Sequence, residues 1–142
     1  MSLLIAASSA HAEALAAIHA TAFPPAEQWN ADSIAILVAQ PGAFGFIHAD
    51  GAMVLARVAA DEGEILTLAT APALRRQGHA RELLLAAQAR AAGAGARSIF
   101  LEVSEANEPA KGLYDSLGYR QVGLRPFYYG ATSAMILRFV FG

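Results

Sequence analysis

The chain has 142 residues, of which 56% are hydrophobic and 15% charged, and its formal net charge is −2. This length and composition predict a single domain over residues 1–142 and exclude intrinsic disorder. The net charge lacks the excess of basic residues that direct nucleic-acid binding requires. No apolar run reaches the ~20 residues that span a bilayer, so no membrane segment is expected. Cysteine is absent, which excludes disulfides, thiolate zinc sites and a cysteine nucleophile and fits a cytoplasmic protein.

The N-terminal part predicts one strand and two helices. Residues 3–7 are too short for a signal peptide and follow no Lys or Arg, so we interpret them as a first strand. Ser8-Ser9 caps a predicted helix over about residues 11–22, which the Pro24-Pro25 pair ends. Asn30 is a good N-cap for a second, short helix.

The next segment predicts three strands joined by two tight turns. Residues 44–49 and 53–58 are strand-like, and Asp50-Gly51 between them is typical of a type I′ hairpin turn, in which both central residues have positive φ. A second turn at residues 61–63 leads into a buried strand over residues 64–70.

A basic bend follows that strand. The run Arg75-Arg76-Gln77-Gly78-His79-Ala80, called the phosphate bend below, leads into a predicted helix that reaches about residue 92. Free backbone amides, a helix dipole and a glycine that lets a ligand approach are the features of a phosphate site. The alternative is an ordinary strand-to-helix turn with solvated arginines, and the bend alone leaves both open.

The C-terminal half completes a mixed α+β sheet with helices on its faces. Residues 98–103 form a predicted strand, parallel to residues 65–70 through a right-handed crossover. Asn107 caps a helix that ends at residues 117–118, with Pro109 in its first turn. Two antiparallel strands, at about residues 119–128 and 133–139, end the chain.

Two residues of this half suit proton transfer. Glu102 lies in a central strand, where an unpaired buried carboxylate is costly, so it is either a solvent-facing strand end or a proton acceptor at the mouth of a cleft. Tyr114 is either a core-edge hydroxyl or a general acid, because its ordinary pKa near ~10 suits donation to a thiolate.

The histidines and the tryptophan provide weaker signals. His11, His19 and His48 are scattered along the chain without metal-ligand spacing, so no metal site is expected. For His79, the backbone amide matters more than the ring. Trp29, near Phe23-Pro24, is interpreted as a core residue.

A motif downstream of the phosphate bend decides between these alternative interpretations of the bend, Glu102 and Tyr114. The run Leu101-Glu102-Val103, then Asn107-x-x-Ala110-x-x-Leu113-Tyr114-x-x-Leu117-Gly118-Tyr119, together with Arg75-x-x-Gly78-x-Ala80, closely resembles the GNAT superfamily of acetyl-CoA-dependent N-acetyltransferases. The likeness covers residues 64–137. Within the superfamily it is most similar to the bacterial ribosomal-protein-alanine N-acetyltransferases, which also carry a late Arg-x-x-Tyr-Tyr, here residues 125–129.

The resemblance implies a fold and a role for each site residue. The fold is a mostly antiparallel sheet in which one parallel βαβ pair is splayed to hold coenzyme A. Glu102 would take the ammonium proton, directly or through water, and Tyr114 would protonate the departing thiolate. The residues implied for acetyl-CoA binding are Leu68, Ala69, Thr70, Arg75, Arg76, Gln77, Gly78, His79, Ala80, Arg81, Asn107 and Ala110, and those for the acceptor are Trp29, Arg125, Tyr128 and Tyr129.

The expected acceptor is the α-amine of a protein N-terminus, because that amine (pKa ~7.7–8.0) loses its proton at neutral pH far more easily than a lysine (~10.4). Small-molecule amines, or a non-catalytic acyl-CoA-binding module, are the alternatives. The subgroup usually has Arg and Ser where this chain has Ser104 and Ala106, and Glu105 and Glu108 add negative charge beside the cleft. These differences concern the acceptor rather than acetyl-CoA. A monomer or weak dimer is expected.

Overall fold

The computed structural model describes residues 4–72, 75, 78–129 and 132–142, without the side chain of Tyr129. It contains seven strands, four α-helices and two short 3-10 turns in these ranges. The 3-10 turns are Ser9–His11 and Pro25–Glu27. The α-helices and strands are, in chain order, β1 (Leu4–Ala6), α1 (Ala12–Ala22), α2 (Ala31–Val38), β2 (Ala43–His48), β3 (Ala52–Ala59), β4 (Glu62–Thr70), α3 (His79–Gly93), β5 (Ser98–Ser104), α4 (Glu108–Ser116), β6 (Arg120–Tyr129) and β7 (Thr132–Val140).

All seven strands form one sheet in the order β1-β2-β3-β4-β5-β7-β6. Each neighbouring pair is antiparallel except β4 and β5, which are parallel and are connected through α3. The predicted mixed sheet with one parallel pair is therefore confirmed. Within the described ranges, no helix is long and apolar enough to cross a membrane.

A hydrophobic core lies on each face of the sheet. On one face, α3 packs against β3, β4 and β2, and its residues Leu83, Leu84 and Ala87 are fully buried. They share a core with Tyr114 of α4, called the α3/α4 core below. On the other face, α1 and α2 cover the strands, and a second core, called the α1/α2 core below, includes Leu15 and Ile34. Helices therefore cover both faces, as expected, because both faces present apolar side chains.

The helix caps agree with the sequence. The Asn30 side chain accepts a hydrogen bond from the Ser33 amide at 2.8 Å, and α2 begins one residue later. The Asn107 side chain accepts from the Ala110 amide at 3.2 Å, and Pro109 lies in the first turn of α4, where its missing N–H costs nothing.

The two predicted turns differ from the sequence expectation. His48 pairs with Ala52, so the β2–β3 loop has three residues and only Gly51 (φ 114°) has positive φ; the type I′ prediction was wrong. A three-residue loop needs one left-handed residue rather than two. The second turn lies at residues 60–61, and Glu62 already pairs with Ala59 in the strands.

A β-bulge separates the halves of β4. Leu55 pairs with Thr67 and Ala56 with Ile65, so Leu66 is an extra residue. The alternation of side chains accordingly breaks: Ile65 and Leu68 pack into the α3/α4 core, although an unbroken strand would point them to opposite faces. Bulges bend a strand and are frequent beside active sites. Here the bend begins two residues after the last β4–β5 pair.

Candidate active site

A gap opens between the two parallel strands. β4 and β5 pair only from Glu62 with Ser98 to Glu64 with Phe100. Gly63 permits this close approach, because a Cβ there would lie 3.1 Å from Ile99 Cγ1. Beyond these three pairs, no described residue of β4 pairs with β5, and the bulge turns β4 away. The sequence predicted the parallel direction correctly, but residues 65–70 are not the paired segment. Their outer edge faces the gap, which lies beside residues 101–104 of β5.

The phosphate bend lies at one end of this gap. Gly78 precedes α3 in the left-handed conformation (φ 82°), with no side-chain cap, and a Cβ built on it would meet no described atom within 4 Å. The Glu82 amide is bonded to the Gly78 carbonyl at 3.0 Å. An α-helix leaves the amides before that position without intrahelical partners, here those of His79, Ala80 and Arg81. An anion at this helix start would meet those donors and the positive end of the helix dipole.

The basic side chains of the bend are only partly described. Arg75 and Arg81 are exposed, and the Arg75 Nε donates to the Thr70 carbonyl at 3.4 Å. That bond joins the end of β4 to the bend. Arg76 and Gln77 lie outside the described residues, so their assignments stay predictions.

Glu102 forms an ion pair that the sequence did not reveal. Its Oε1 lies 2.6 Å from Arg125 Nη2, and the Arg125 guanidinium stacks over the Tyr128 ring at 4.8 Å. The Glu102 side chain is 29% exposed and that of Arg125 is 52% exposed. Glu102 is therefore neither a free strand end nor an unpaired buried charge. Arg125 thus contacts the predicted base, and its predicted contact with an acceptor stays a prediction.

Glu102 and Tyr114 lie on opposite faces of the sheet. Leu101 and Val103 point into the α3/α4 core, so Glu102 between them points to the other face. Tyr114 belongs to the α3/α4 core and is 6% exposed. The gap between β4 and β5 interrupts the sheet between these faces.

A second tyrosine packs against Tyr114. The Tyr119 hydroxyl donates to Gln88 Oε1 of α3 at 2.9 Å, and its ring meets that of Tyr114 edge-on at 5.7 Å. Burial, and then the neighbouring Tyr114, raises the pKa of Tyr119 above its ordinary range. Tyr119 therefore stays protonated and serves as a fixed wall that holds the Tyr114 ring in place.

The remaining predicted coenzyme residues flank the gap. Ala69 is buried, whereas Leu68 and Thr70 are half-buried. The Asn107 side chain is exposed, and its oxygen caps α4. Ala110 is half-buried and packs against the α3/α4 core.

Trp29 is half-buried and packs against the α1/α2 core. His19 is sandwiched between the rings of Phe23 and Trp29, with centroids 4.2 and 4.9 Å away. The Trp29 amide donates to His19 Nδ1 at 3.3 Å, and burial lowers the pKa of His19. These contacts favour the interpretation of Trp29 as a core residue. The predicted contact of its ring with an acceptor stays a prediction.

The β6–β7 hairpin carries a residue that the sequence analysis missed. Phe127 has φ 54°, a strained conformation for a bulky residue, and is 74% exposed. Its amide donates to Ser133 Oγ at 3.2 Å. The Glu105 amide donates to the Ser133 carbonyl at 3.0 Å, and the Ser133 amide donates to Glu105 Oε1 at 3.1 Å. The Glu105 carboxylate is thus occupied in holding this hairpin. Tyr128 is half-exposed beside it, and the Tyr129 side chain lies outside the described part.

A cluster of two histidines and an aspartate lies at the phosphate bend, to which His79 belongs. The rings of His48 and His79 are 4.0 Å apart, and Asp50 Oδ2 lies 3.9 Å from a nitrogen of each. The wide spacing of these three residues along the chain concealed the cluster. A hairpin turn and a helix start bring them together.

The family comparison agrees with this geometry. The model of the acetyltransferase (GNAT) family matches residues 8–119. The chain is 39% identical over 69 residues to a [Ribosomal protein bS18]-alanine N-acetyltransferase of Haemophilus ducreyi, which covers 49% of this chain and 48% of that protein. The chain spans about half, or less, of the length of the curated relatives it matches.

Solved structures share the fold. The ribosomal-protein-S18-alanine N-acetyltransferase of Escherichia coli is 24% identical and superposes with a TM-score of 0.85 over 99% of this chain and 94% of that one. Arabidopsis thaliana NAA60 in complex with acetyl-CoA is 18% identical, with a TM-score of 0.81 over 96% of this chain and 97% of that one. At these identities the likeness establishes the fold, including the single parallel strand pair.

Proposed function

This chain belongs to the acetyltransferase (GNAT) family, and we propose that it transfers the acetyl group of acetyl-CoA to the α-amine of a protein N-terminus. The observation that carries the proposal is the gap between β4 and β5, with the uncapped start of α3 at one end and Glu102 and Tyr114 on opposite faces of the sheet. The H. ducreyi relative, named for alanine N-acetylation of a ribosomal protein, supports the acceptor class.

Acetyl-CoA fits the gap by its shape and charge. Its pyrophosphate would accept hydrogen bonds from the amides of His79, Ala80 and Arg81, with Arg75 and Arg81 supplying charge. The open space at Gly78 allows the phosphate to approach the backbone. The pantetheine arm would then run along the free edge of residues 66–70 and pair with main-chain groups as a false strand. The NAA60 structure, which contains acetyl-CoA in the same fold, is consistent with this arrangement.

The chemistry is direct attack without a covalent enzyme intermediate. The neutral amine attacks the thioester carbonyl, the C–N bond forms, and the C–S bond breaks to release coenzyme A thiolate. An amide near Leu68 or Ala69 would stabilise the oxyanion. Glu102 takes the proton that the amine loses, directly or through water, and Tyr114 gives a proton to the thiolate. The products are an amide and the free thiol.

The Arg125–Glu102 ion pair supports an acceptor that arrives as a cation. An incoming ammonium group takes the place of the guanidinium on Glu102, so the carboxylate receives the acceptor before it takes the proton. Because both side chains are partly exposed, exchanging one cation for another costs little. A protein α-amine is charged for only part of the time near neutral pH, so its deprotonation makes a small demand on Glu102.

Thiol release from acetyl-CoA, measured against a panel of amines, tests the proposal. The panel contains a peptide with a free N-terminus and a basic tail, the same peptide with a blocked N-terminus, and free amino acids and polyamines. We expect release only with the free N-terminus. Release with the small amines alone would overturn the acceptor class, and release with none of them would favour a non-catalytic acyl-CoA-binding module.

A matched pair of variants tests the assignment of the base. Glu102→Gln removes the proton acceptor and leaves the side chain nearly isosteric, so kcat should fall by roughly 100-fold or more. Glu105→Gln changes a nearby carboxylate that the structure assigns to the β6–β7 hairpin, and its kcat should fall far less. Equal losses in the two variants would contradict the role of Glu102.

A further inference from the structure

The side chains of His48, Asp50 and His79 converge at the phosphate bend, which uses the backbone amide of His79 but not its ring. Atoms able to bind a metal, one from each residue, all lie within 4.8 Å of one another. Asp50 Oδ2 is 3.9 Å from His48 Nδ1 and 3.9 Å from His79 Nε2, too far for a direct hydrogen bond to either. The carboxylate is therefore equidistant from two nitrogens with room for a shared ion.

His79 supplies an independent sign of an unfilled interaction. Its side chain is 11% exposed, and its Nε2 is a buried polar atom with no hydrogen-bond partner among the described residues. Leaving such a buried atom without a partner is unfavourable. The nitrogen faces Asp50, so a cation between them would satisfy it.

His48 is held in place beside Asp50. The Asp50 amide donates to His48 Nδ1 at 3.1 Å. The His48 side chain is 5% exposed, so the ring is fixed by packing. The single lone pair of Nδ1 accepts this amide, so a metal ion bound there would replace the amide as the partner of Nδ1, which lowers the affinity of the site.

We propose that His48, Asp50 and His79 form a binding site for a divalent first-row transition metal ion such as Zn²⁺. Two imidazoles and one carboxylate are a donor set that these ions accept. In a tetrahedral zinc site the donor atoms lie roughly 3.3 Å apart. Asp50 is 53% exposed, so its carboxylate can close the distance of about 0.6 Å that separates 3.9 Å from this spacing, and a small shift of the His rings brings their two nitrogens, within 4.8 Å of each other, to the same spacing. The exposed side of Asp50 leaves a fourth position for water.

The position of this cluster indicates what the ion would do. Asp50 lies in the β2–β3 turn and His79 is the first residue of α3. The same turn accepts a hydrogen bond from the Ala71 amide at the Gly51 carbonyl, at 3.1 Å. The ion would therefore tie the turn and the helix start together next to the end of β4. The ion would bind the His79 ring and not its amide, and a titration without acetyl-CoA tests this site separately from the proposed acetyl transfer.

Calorimetric titration with ZnCl₂ tests the proposal, on protein free of a polyhistidine tag, stripped with chelator and without acetyl-CoA. We expect saturation at one ion per chain and a rise in Tm of at least ~5 °C at saturating metal. Asp50→Asn and His79→Gln should each weaken binding by more than about tenfold. Co²⁺ in place of Zn²⁺ should give the visible absorption bands of a bound ion in the wild type only.

The matched control is His11→Gln. His11 lies outside the cluster, in the 3-10 turn before α1, where its Nδ1 accepts from the Ser8 amide at 3.0 Å, so this variant should bind Zn²⁺ like the wild type. His79 is largely buried, so the His79→Gln variant risks misfolding. Asp50 is exposed, so the Asp50→Asn variant is sufficient for the test. Absence of saturable binding, or equal affinity in Asp50→Asn and the wild type, would overturn the proposal.

Discussion

Replacing Gly78 by alanine tests the phosphate bend at the atom where the ligand would approach the backbone. Gly78 has φ 82°, and a Cβ there meets no described atom within 4 Å, so the penalty is conformational rather than a clash. A left-handed non-glycine residue costs roughly 1–2 kcal/mol. If the bend relaxes to avoid this cost, the helix-start amides leave the binding arrangement, and the Kd for acetyl-CoA rises about 5- to 30-fold.

Gly95→Ala is the matched control, because Gly95 also has a left-handed φ (97°) and equally open space. It lies just beyond the C-terminal end of α3, roughly 25 Å from Gly78 along the helix. Both variants should lose a similar amount of stability, roughly 3–6 °C in Tm per kcal/mol. Only Gly78→Ala should bind acetyl-CoA more weakly in calorimetric titration. Wild-type affinity in Gly78→Ala would refute the assignment of the bend.

Three further predictions concern the chemistry and the core. Tyr114→Phe should lower kcat by roughly tenfold or more while the Kd for acetyl-CoA stays nearly unchanged, and wild-type turnover would exclude Tyr114 as the acid. Arg125→Gln should lower the KM for a cationic acceptor by about two- to fivefold, because Glu102 loses a competing cation, whereas a raised KM would make Arg125 an acceptor ligand. Burial lowers the pKa of His19 in the folded protein. As the pH falls below ~6.5, His19 therefore binds a proton in the unfolded chain more readily than in the folded protein, and the free energy of unfolding decreases. His19→Gln should make this loss shallower in chemical denaturation at pH 7 and 5, and an unchanged slope would contradict it.

The local elements of the fold could be predicted from the sequence. Asn30 and Asn107 have short side chains that accept from backbone amides, and each begins a helix where expected. The strands could be predicted for a similar reason, because their apolar residues alternate or run together between turn residues. These signals act over a few residues, which is the range that a single sequence displays directly.

The geometry of the gap could not be predicted from the residues alone. The bulge at Leu66 arises from how β4 is registered against β3, and nothing in the local run of residues 64–70 distinguishes it from an even strand. Nothing in that run shows either that pairing with β5 stops after Glu64. The resemblance to a family implied a splayed pair, and the structure locates where the splay begins.

Contacts between distant parts of the chain were equally hidden. Arg125 reaches Glu102 only because β6 and β5 both flank β7. His48 and His79 meet because a hairpin turn lies against the start of α3. Spacing along the chain contains no sign of either contact, since both depend on the order of strands in the sheet.

One peptide that carries two amines tests the central claim most directly. Its sequence begins with a free alanine and contains one internal lysine, and it is incubated with acetyl-CoA near pH 7 and analysed by tandem mass spectrometry. We expect one acetyl group on the alanine α-amine, an unmodified lysine, and one coenzyme A thiol released for each acetyl group transferred. An unmodified peptide, or acetyl on the lysine alone, would contradict the account.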